Sequence, residues 1–367
     1  MRPTLELRCP RREASCPIWI GRGLVDSLEE ILGSRPAPTK VVVVADGGAR
    51  HVAIRAQLAL RLDPSAVHSM AGGEGCKNVE HLQELWKFFL ERKLDRKSLV
   101  LSIGGGATSD LVGFACATFM RGVRFIALPT TLLAQVDASI GGKTAINFGG
   151  VKNLVGSITQ PDAIISDIDT LATLPDHEMR CGFAEIVKHG MIADAVFMER
   201  VTSQHYSKWS PDELTSIVIR SCEIKQTFVE SDETEQGQRK ALNFGHTIGH
   251  ALEEYLLGGE VALSHGEAVS IGMHAEAFLS HRVGLVSQET LDTLVQALAR
   301  VGLPTHIAHA MDLERLIEHI KCDKKTVAGR TRWSLLAKLG ECKVDCEVRE
   351  EFVREAIARI QPREEAP

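Results

Sequence analysis

Continuous apolar runs broken by glycine turns occupy the first half of the chain. Val41-Val-Val-Val-Ala45 reads as a strand buried on both faces, and Asp46-Gly-Gly48 turns the chain into a helical pattern ending at Leu60. A short strand follows at Val67–Met70, then an amphipathic helix at His81–Leu90. Ser98–Ile103 is a second buried strand, followed at once by Gly104-Gly-Gly106. A helix is predicted over Asp110–Met120 and a strand over Val123–Leu128. This alternation predicts a mostly parallel, Rossmann-like sheet covered by helices. From about Thr173 the pattern changes to apolar residues three and four apart. It predicts helices over Glu178–Ile192, Pro211–Val229, Lys240–Leu256, Gly266–His281, Gln288–Val301 and Asp312–Ile320. The expected organisation is an α/β domain over 1–170 and an all-α domain over 171–367, with a charged tail from Gln361 that frays.

Composition adds limits to this picture. With 367 residues, 44% hydrophobic and 25% charged, the chain has the balance of a soluble two-domain protein. A net charge of −6 gives no support for nucleic-acid binding, so an anionic ligand would need a local basic pocket. Runs such as Val41–Ala45 are far too short to span a bilayer, so no membrane partner is expected. The first ten residues lack the apolar core of a secretion signal, and a cytoplasmic location is expected. Nine cysteines without a Cys-x-x-Cys pair read as reduced thiols rather than a structural zinc site.

The densest chemistry lies in Leu242-Asn-Phe-Gly-His-Thr-Ile-Gly-His250 and, shortly after, Leu263-Ser-His-Gly-Glu267. His246 and His250 are four apart and share a helical face, which Asn243 is expected to join. His265 is close enough in sequence to fold back, so these imidazoles read as a divalent-metal site. Spacing alone favours His246 and His250 as the ligand pair. Gly104-Gly-Gly-Ala-Thr-Ser-Asp110 stands between a strand and a helix, where glycines admit a phosphate to the helix N-terminus. Gly72-Gly-Glu-Gly-Cys-Lys77 offers Glu74 to a ribose and Lys77 to a phosphate. In Pro129–Thr144, Thr130 and Thr131 can cap a helix bearing Asp137, and Gly141-Gly142 presents Lys143. Lys152-Asn153 follow another glycine pair. In isolation each of these segments also reads as an ordinary turn with solvated charge.

Together they resemble 3-dehydroquinate synthases. The resemblance rests on Gly104–Asp110, Pro129–Thr144, Lys152-Asn153, Ala184-Glu-Ile-Val-Lys188, Leu242–His250, Leu263–Glu267 and Asp323-Lys-Lys325, in order. It implies a dehydroquinate synthase-like fold and a homodimeric enzyme with bound NAD and catalytic zinc, for which cobalt can substitute. It also implies a sugar-phosphate substrate, 3-deoxy-D-arabino-heptulosonate 7-phosphate, converted to 3-dehydroquinate and phosphate in the shikimate pathway. The implied course is transient oxidation by NAD, phosphate elimination, re-reduction, ring opening and intramolecular aldol closure. It replaces the His246–His250 pair with Glu185, His246 and His265 as metal ligands. Lys188, His250, Asn243 and Lys143 become the implied catalytic group. Asp46, Glu74, Lys77, Gly105, Gly106, Ala107, Asp110, Thr130, Thr131 and Asp137 are implied to line the NAD site, joined by Lys143, Lys152, Thr170 and Thr173. Arg121, Lys152, Asn153, Lys225, Arg239, Lys324 and Lys325 are implied to bind substrate, with Lys225 and Arg239 on its carboxylate.

Two segments depart from the family pattern. Ala107, Thr108 and Ser109 stand where a Val-Val/Ile-Gly run is usual, so Ser109 brings a Cβ near the cofactor. Asn147-Phe-Gly-Gly-Val-Lys-Asn153 lacks the usual histidine and proline, so a looser loop is expected there. Other sugar-phosphate cyclases, and metal-dependent NAD polyol dehydrogenases, would share much of this constellation. Lys225, Arg239 and Asn243 favour the carboxylate-bearing substrate.

Overall fold

A computed structural model describes residues 1–9, 14–256, 263–322, 326–327 and 330–362. It contains two compact units, Met1–Pro175 with Pro211–Gln226, and Asp176–Ser210 with Thr227–Pro367. The second span of the first unit, which lies within a long helix, has no signature in a single change of texture near Thr170.

The first unit carries strands β1 (Leu5–Cys9), β2 (Ala14–Gly21), β3 (Val41–Asp46), β4 (Val67–Met70), β5 (Leu99–Gly104), β6 (Arg124–Pro129), β7 (Lys143–Phe148), β8 (Val151–Ile158) and β9 (Ala163–Asp167). Its helices are α1 (Leu28–Gly33), α2 (Arg50–Ala59), α3 (Val79–Glu91) and α4 (Gly106–Thr118). Seven strands form one sheet in the order β1-β2-β9-β6-β5-β3-β4. Every pairing in it is parallel except β1 with β2. Alternation along β3 explains its all-apolar run: Val43 and Ala45 enter one core cluster, and Val42 and Val44 enter the other. β7 and β8 form a separate antiparallel ribbon.

The second unit is helical, with α5 (Asp176–Ala193), α6 (Ala195–Val201), the end of α7 (Pro211–Ser231), α8 (His246–Tyr255), α9 (His265–Arg282), α10 (Gln288–Val301), α11 (Leu313–Cys322) and α12 (Glu350–Ile360). It also holds two small antiparallel pairs, β10 (Thr326–Val327) with β11 (Arg330–Thr331), and β12 (Trp333–Lys338) with β13 (Glu341–Cys346). Helical periodicity did not announce these pairs. α8, α9, α11 and α12 pack their apolar stripes with Trp333 and Leu335 into one core.

Two sequence expectations change locally. Lys240–Leu256 is two elements: a 3-10 turn at Gln238–Asn243, then α8 from His246. Gly245 separates them with φ +81, a conformation that ends any continuous helix. Asn243 therefore does not extend the histidine-bearing helical face. The Asn147–Asn153 segment, expected to be loose, is a tight hairpin. Gly149 and Gly150 take φ +60 and +81 between paired Phe148 and Val151, the conformation that a two-residue β-turn requires.

Candidate metal centre and strand-end residues

The metal candidates come from three helices held at close backbone approach. Gly249 of α8 faces Ala268 and Val269 of α9, and a Cβ added at Gly272 would lie 2.9 Å from the Gly249 nitrogen. At the start of α9, a Cβ on Gly266 would lie 2.8 Å from the carbonyl oxygen of Cys181 on α5. This packing leaves little freedom to Glu185 on α5, His246 at the first position of α8, or His265 at the first position of α9.

Glu185 is fully buried, and its Oε1 lies 3.4 Å from His246 Nε2 and 3.6 Å from His265 Nε2. Its Oε2 is ion-paired with buried Lys188, one helical turn away. His246 Nδ1 lies 3.3 Å from the Phe244 carbonyl, and His265 Nδ1 lies 3.2 Å from a Glu253 oxygen. A carbonyl and a carboxylate can only accept, so both Nδ1 atoms are donors. The two Nε2 atoms then turn toward a carboxylate oxygen, and such electron pairs repel unless a proton or metal cation sits among them. Two imidazoles and a carboxylate within mutual ligand reach suit a divalent zinc or cobalt ion, with outer hydrogen bonds of the usual kind. Burial opposes charging of His265, but hydrogen bonds to Glu185 and Glu253, with their charges, hold its pKa up to about 10.

His250 lies one turn beyond His246, their rings 5.3 Å apart and nearly perpendicular, and its own ring is 6.1 Å from that of His265. The Asn243 amide donates to Glu235 Oε1 at 2.5 Å. Arg239 is buried and donates to the Glu233 carbonyl at 2.7 Å. Lys324 and Lys325 lie outside the described residues. Among the other histidines, His189 and His274 are fully buried, and His274 Nδ1 is 2.8 Å from the Thr305 carbonyl.

In the first unit the candidates gather at the carboxyl ends of the parallel strands, where open α/β sheets bind ligands. Asp46 ends β3, Glu74 and Lys77 follow β4, Gly104 ends β5, Thr130 and Thr131 follow β6, and Thr170 follows β9. Asp46 Oδ2 accepts from Gly105 N at 3.1 Å and Thr108 Oγ1 at 3.0 Å, and Oδ1 accepts from Ala49 N at 2.9 Å. Asp46 thus shapes the glycine turn, and Thr108 (one of the departures from the family pattern) supplies one of the bonds. Ser109 sits buried inside α4 with ordinary helical backbone, so its Cβ meets no conformational penalty. Gly106 and Ala107 form the first turn of α4, whose N–H groups lack intrahelical partners and suit a pyrophosphate.

Lys77 is nearly fully buried and binds Asp110 Oδ2 at 2.7 Å, with Asn153 as a second close partner. Asn147 joins this cluster through Glu74 at 2.9 Å. Burial raises the Asp110 pKa, against the Lys77 charge and hydrogen bond, to about 6. Lys225 is paired with Asp137 at 2.6 Å. Lys143 and Lys152 are exposed on β7 and β8, and Thr173 Oγ1 is 3.4 Å from His51 Nε2. Arg121 is exposed with φ +63, next to Met120 at φ +52.

Three residues escaped the sequence reading. Buried Gln135 donates to the Pro129 and Asp167 carbonyls at 3.2 and 3.1 Å, tying the ends of β6 and β9. Buried Glu276 accepts from Gly245 N at 2.7 Å and Ile248 N at 3.1 Å, capping α8 from α9. The third is Glu253, behind His265. For Glu253 the signal was present: it lies seven residues after His246, on the same helical stripe.

Solved structures share this architecture. One of 2-deoxy-scyllo-inosose synthase, complexed with carbaglucose-6-phosphate, NAD+ and Co2+, has a TM-score of 0.84 at 24% identity, covering 95% of this chain and 97% of that one. Another, 2-epi-5-epi-valiolone synthase from Streptomyces hygroscopicus with NAD+ and Zn2+ bound, has a TM-score of 0.80 at 23% identity, covering 95% and 97%. The fold is thus of the dehydroquinate synthase-like class. Residues 67–181 match the 3-dehydroquinate synthase N-terminal model, and residues 182–326 match the C-terminal model. The 3-dehydroquinate synthase of Desulforamulus reducens is 38% identical over 92% of this chain and 94% of its own length, and that of Legionella pneumophila is 41% identical over 78% of each. The chain belongs to the 3-dehydroquinate synthase family.

Proposed function

We propose that the protein converts 3-deoxy-D-arabino-heptulosonate 7-phosphate to 3-dehydroquinate and phosphate, a lyase step of the shikimate pathway, with NAD and a divalent metal as cofactors. The observation carrying this reading is the convergence of Glu185, His246 and His265 in a chain that family models match across both units. When bound, NAD accepts and returns a hydride while zinc or cobalt acidifies a coordinated alcohol.

The chain's own residues supply binding and proton handling. Glu185, His246 and His265 are the proposed ligands. The Lys188 ammonium holds Glu185 in its orientation and offers a donor to a substrate hydroxyl beside it. His250 and Asn243 hydrogen-bond reacting hydroxyls, with Lys143 as a further donor. Lys225 and Arg239 hold the substrate carboxylate, a task that suits a guanidinium fork. Substrate phosphate is assigned to Arg121, Lys152 and Asn153, with Lys324 and Lys325. For NAD, the pyrophosphate is assigned to the first turn of α4, with Gly105, Gly106 and Ala107, and to Lys77. Glu74, Asp110, Thr130, Thr131, Asp137, Lys152, Thr170 and Thr173 complete that site, and Asp46 acts through the turn it shapes.

A homodimer in the cytoplasm is part of the proposal. Strand β8 supports the dimer, because Val151, Leu154, Val155 and Ile158 are 40–51% exposed on one ribbon, beside Phe148 at 55%. An exposed apolar strand of this kind is normally covered. No helix among the described residues is long and apolar enough to cross a membrane.

The test compares the heptulosonate phosphate with a heptulose 7-phosphate lacking the carboxylate, each with NAD and zinc. Carbocycle from the first alone supports the assignment. Carbocycle from the second alone moves the chain to another sugar-phosphate cyclase activity, and loss of selectivity in Lys225→Met or Arg239→Met locates the carboxylate contact.

A further inference from the structure

Helix α8 presents His246, His250 and Glu253 at positions i, i+4 and i+7, one continuous stripe. His265, the first residue of α9, faces that stripe. Its Nδ1 is 3.2 Å from Glu253 Oε2, while its Nε2 is 3.6 Å from Glu185. A Glu253 carboxylate oxygen also lies within 4.8 Å of a His250 ring nitrogen. Its carboxylate is largely buried, at 14% side-chain exposure against 31% for His265. A carboxylate removed from water needs a partner, and this one lies against the imidazole ring edge opposite the metal position.

We infer that Glu253 is a positioning residue for the metal centre: it holds His265 in the tautomer and ring orientation that aim Nε2 at the ion, and its charge strengthens that ligand. His265 needs such help more than His246 does. The His246 Nδ1 hydrogen bond goes to a carbonyl of its own segment, at Phe244, and its side chain is only 11% exposed. His265 is the more exposed of the two, and its ring is fixed by a partner on a different helix. Loss of a hydrogen-bonding partner behind a ligand costs about 10–100-fold in metal affinity. The inference rests on the ligand assignment above.

The test measures zinc affinity of metal-free protein by competition with a chromogenic chelator, together with the visible spectrum of the cobalt-loaded form. Glu253→Ala is expected to weaken zinc binding about 10–100-fold and to shift the cobalt bands, because the ligand field at His265 changes. Glu253→Asp is expected to recover part of the affinity. Glu253→Gln keeps shape and an acceptor but not charge; it is expected to fall between the unsubstituted protein and Glu253→Ala, and it carries the test if Glu253→Ala does not fold. His265→Ala separates the two levels of the argument. Unchanged affinity in His265→Ala overturns the ligand assignment itself. Lost affinity in His265→Ala, with unchanged affinity and spectrum in Glu253→Ala or Glu253→Gln, overturns the role of Glu253 alone.

Discussion

Gly272 lies in the middle of α9, and its missing side chain sets how closely α8 can approach. A Cβ built there would sit 2.9 Å from both the Gly249 nitrogen and the Gly245 carbonyl carbon, and closer still to the Gly245 oxygen. Ordinary contacts between such atoms are about 3.5 Å or more, so Gly272→Ala demands that the helices separate by about 1 Å. The obstructing atoms are backbone, and no flexible side chain can swing away. Overpacking of this kind costs about 1–3 kcal/mol. In a unit of this size that lowers the melting temperature by about 2–4 °C for each kcal/mol. The displacement also separates His246 on α8 from His265 on α9, and a shift of about 1 Å in an active site can cost about 100-fold in rate. Calorimetry of the metal-free protein reads the packing loss, and chelator competition reads the metal site. Gly33→Ala is the control, because an added Cβ meets nothing within 4 Å there. A Gly272→Ala protein with the melting temperature and zinc affinity of the unsubstituted chain refutes the claim that backbone approach positions the ligands.

Three further outcomes follow from buried charge. Glu276→Ala leaves the Gly245 and Ile248 N–H groups without their carboxylate, and denaturant titration is expected to show a loss of about 2–4 kcal/mol. His265, with its pKa up to about 10, carries a proton at pH 8 that a metal must displace. Zinc binding is thus expected to release about one proton per chain in weakly buffered indicator solution, and zinc affinity to rise with pH between pH 7 and 9; affinity independent of pH there contradicts this. For Asp110, a folded pKa of about 6 against 3.8 for the free group means the folded state binds the extra proton. Stability then falls as pH rises through that interval. Lys77→Met removes the opposing charge and moves the upper limit of the interval higher, so melting temperatures at pH 5 and 7.5 should diverge more than in the unsubstituted protein.

β3, β5 and β6 were legible because they are buried on both faces and therefore written as apolar runs, with β3 the clearest case; β9, equally buried, was missed because its apolar run is only Ala163-Ile-Ile165. The strand-end turns after β3, β4 and β5 were legible because each is marked by a run of glycines. β1 and β13 were not, since they are short antiparallel strands with every second position exposed; β2 is broken by Pro17, and β12, buried from Trp333 to Leu336, is a short run among helical patterns. Spacing along one helix could expose the stripe of His246 and His250 but not Glu185, sixty-one residues from His246 and brought there only by tertiary packing. Family resemblance supplied that residue. Glu276 was hidden for a similar reason: a lone acidic residue inside a helix reads as solvated charge until the facing helix terminus is known.

The proposed reaction borrows a hydride and returns it while phosphate leaves and a carbocycle closes. Purified protein loaded with zinc, given the heptulosonate phosphate and a small fraction of one equivalent of NAD, tests it in one reaction. The expected result is phosphate and 3-dehydroquinate in equal amounts, far exceeding the NAD supplied, with no accumulation of NADH absorbance. Phosphate without carbocycle, or NADH rising in step with turnover, contradicts it.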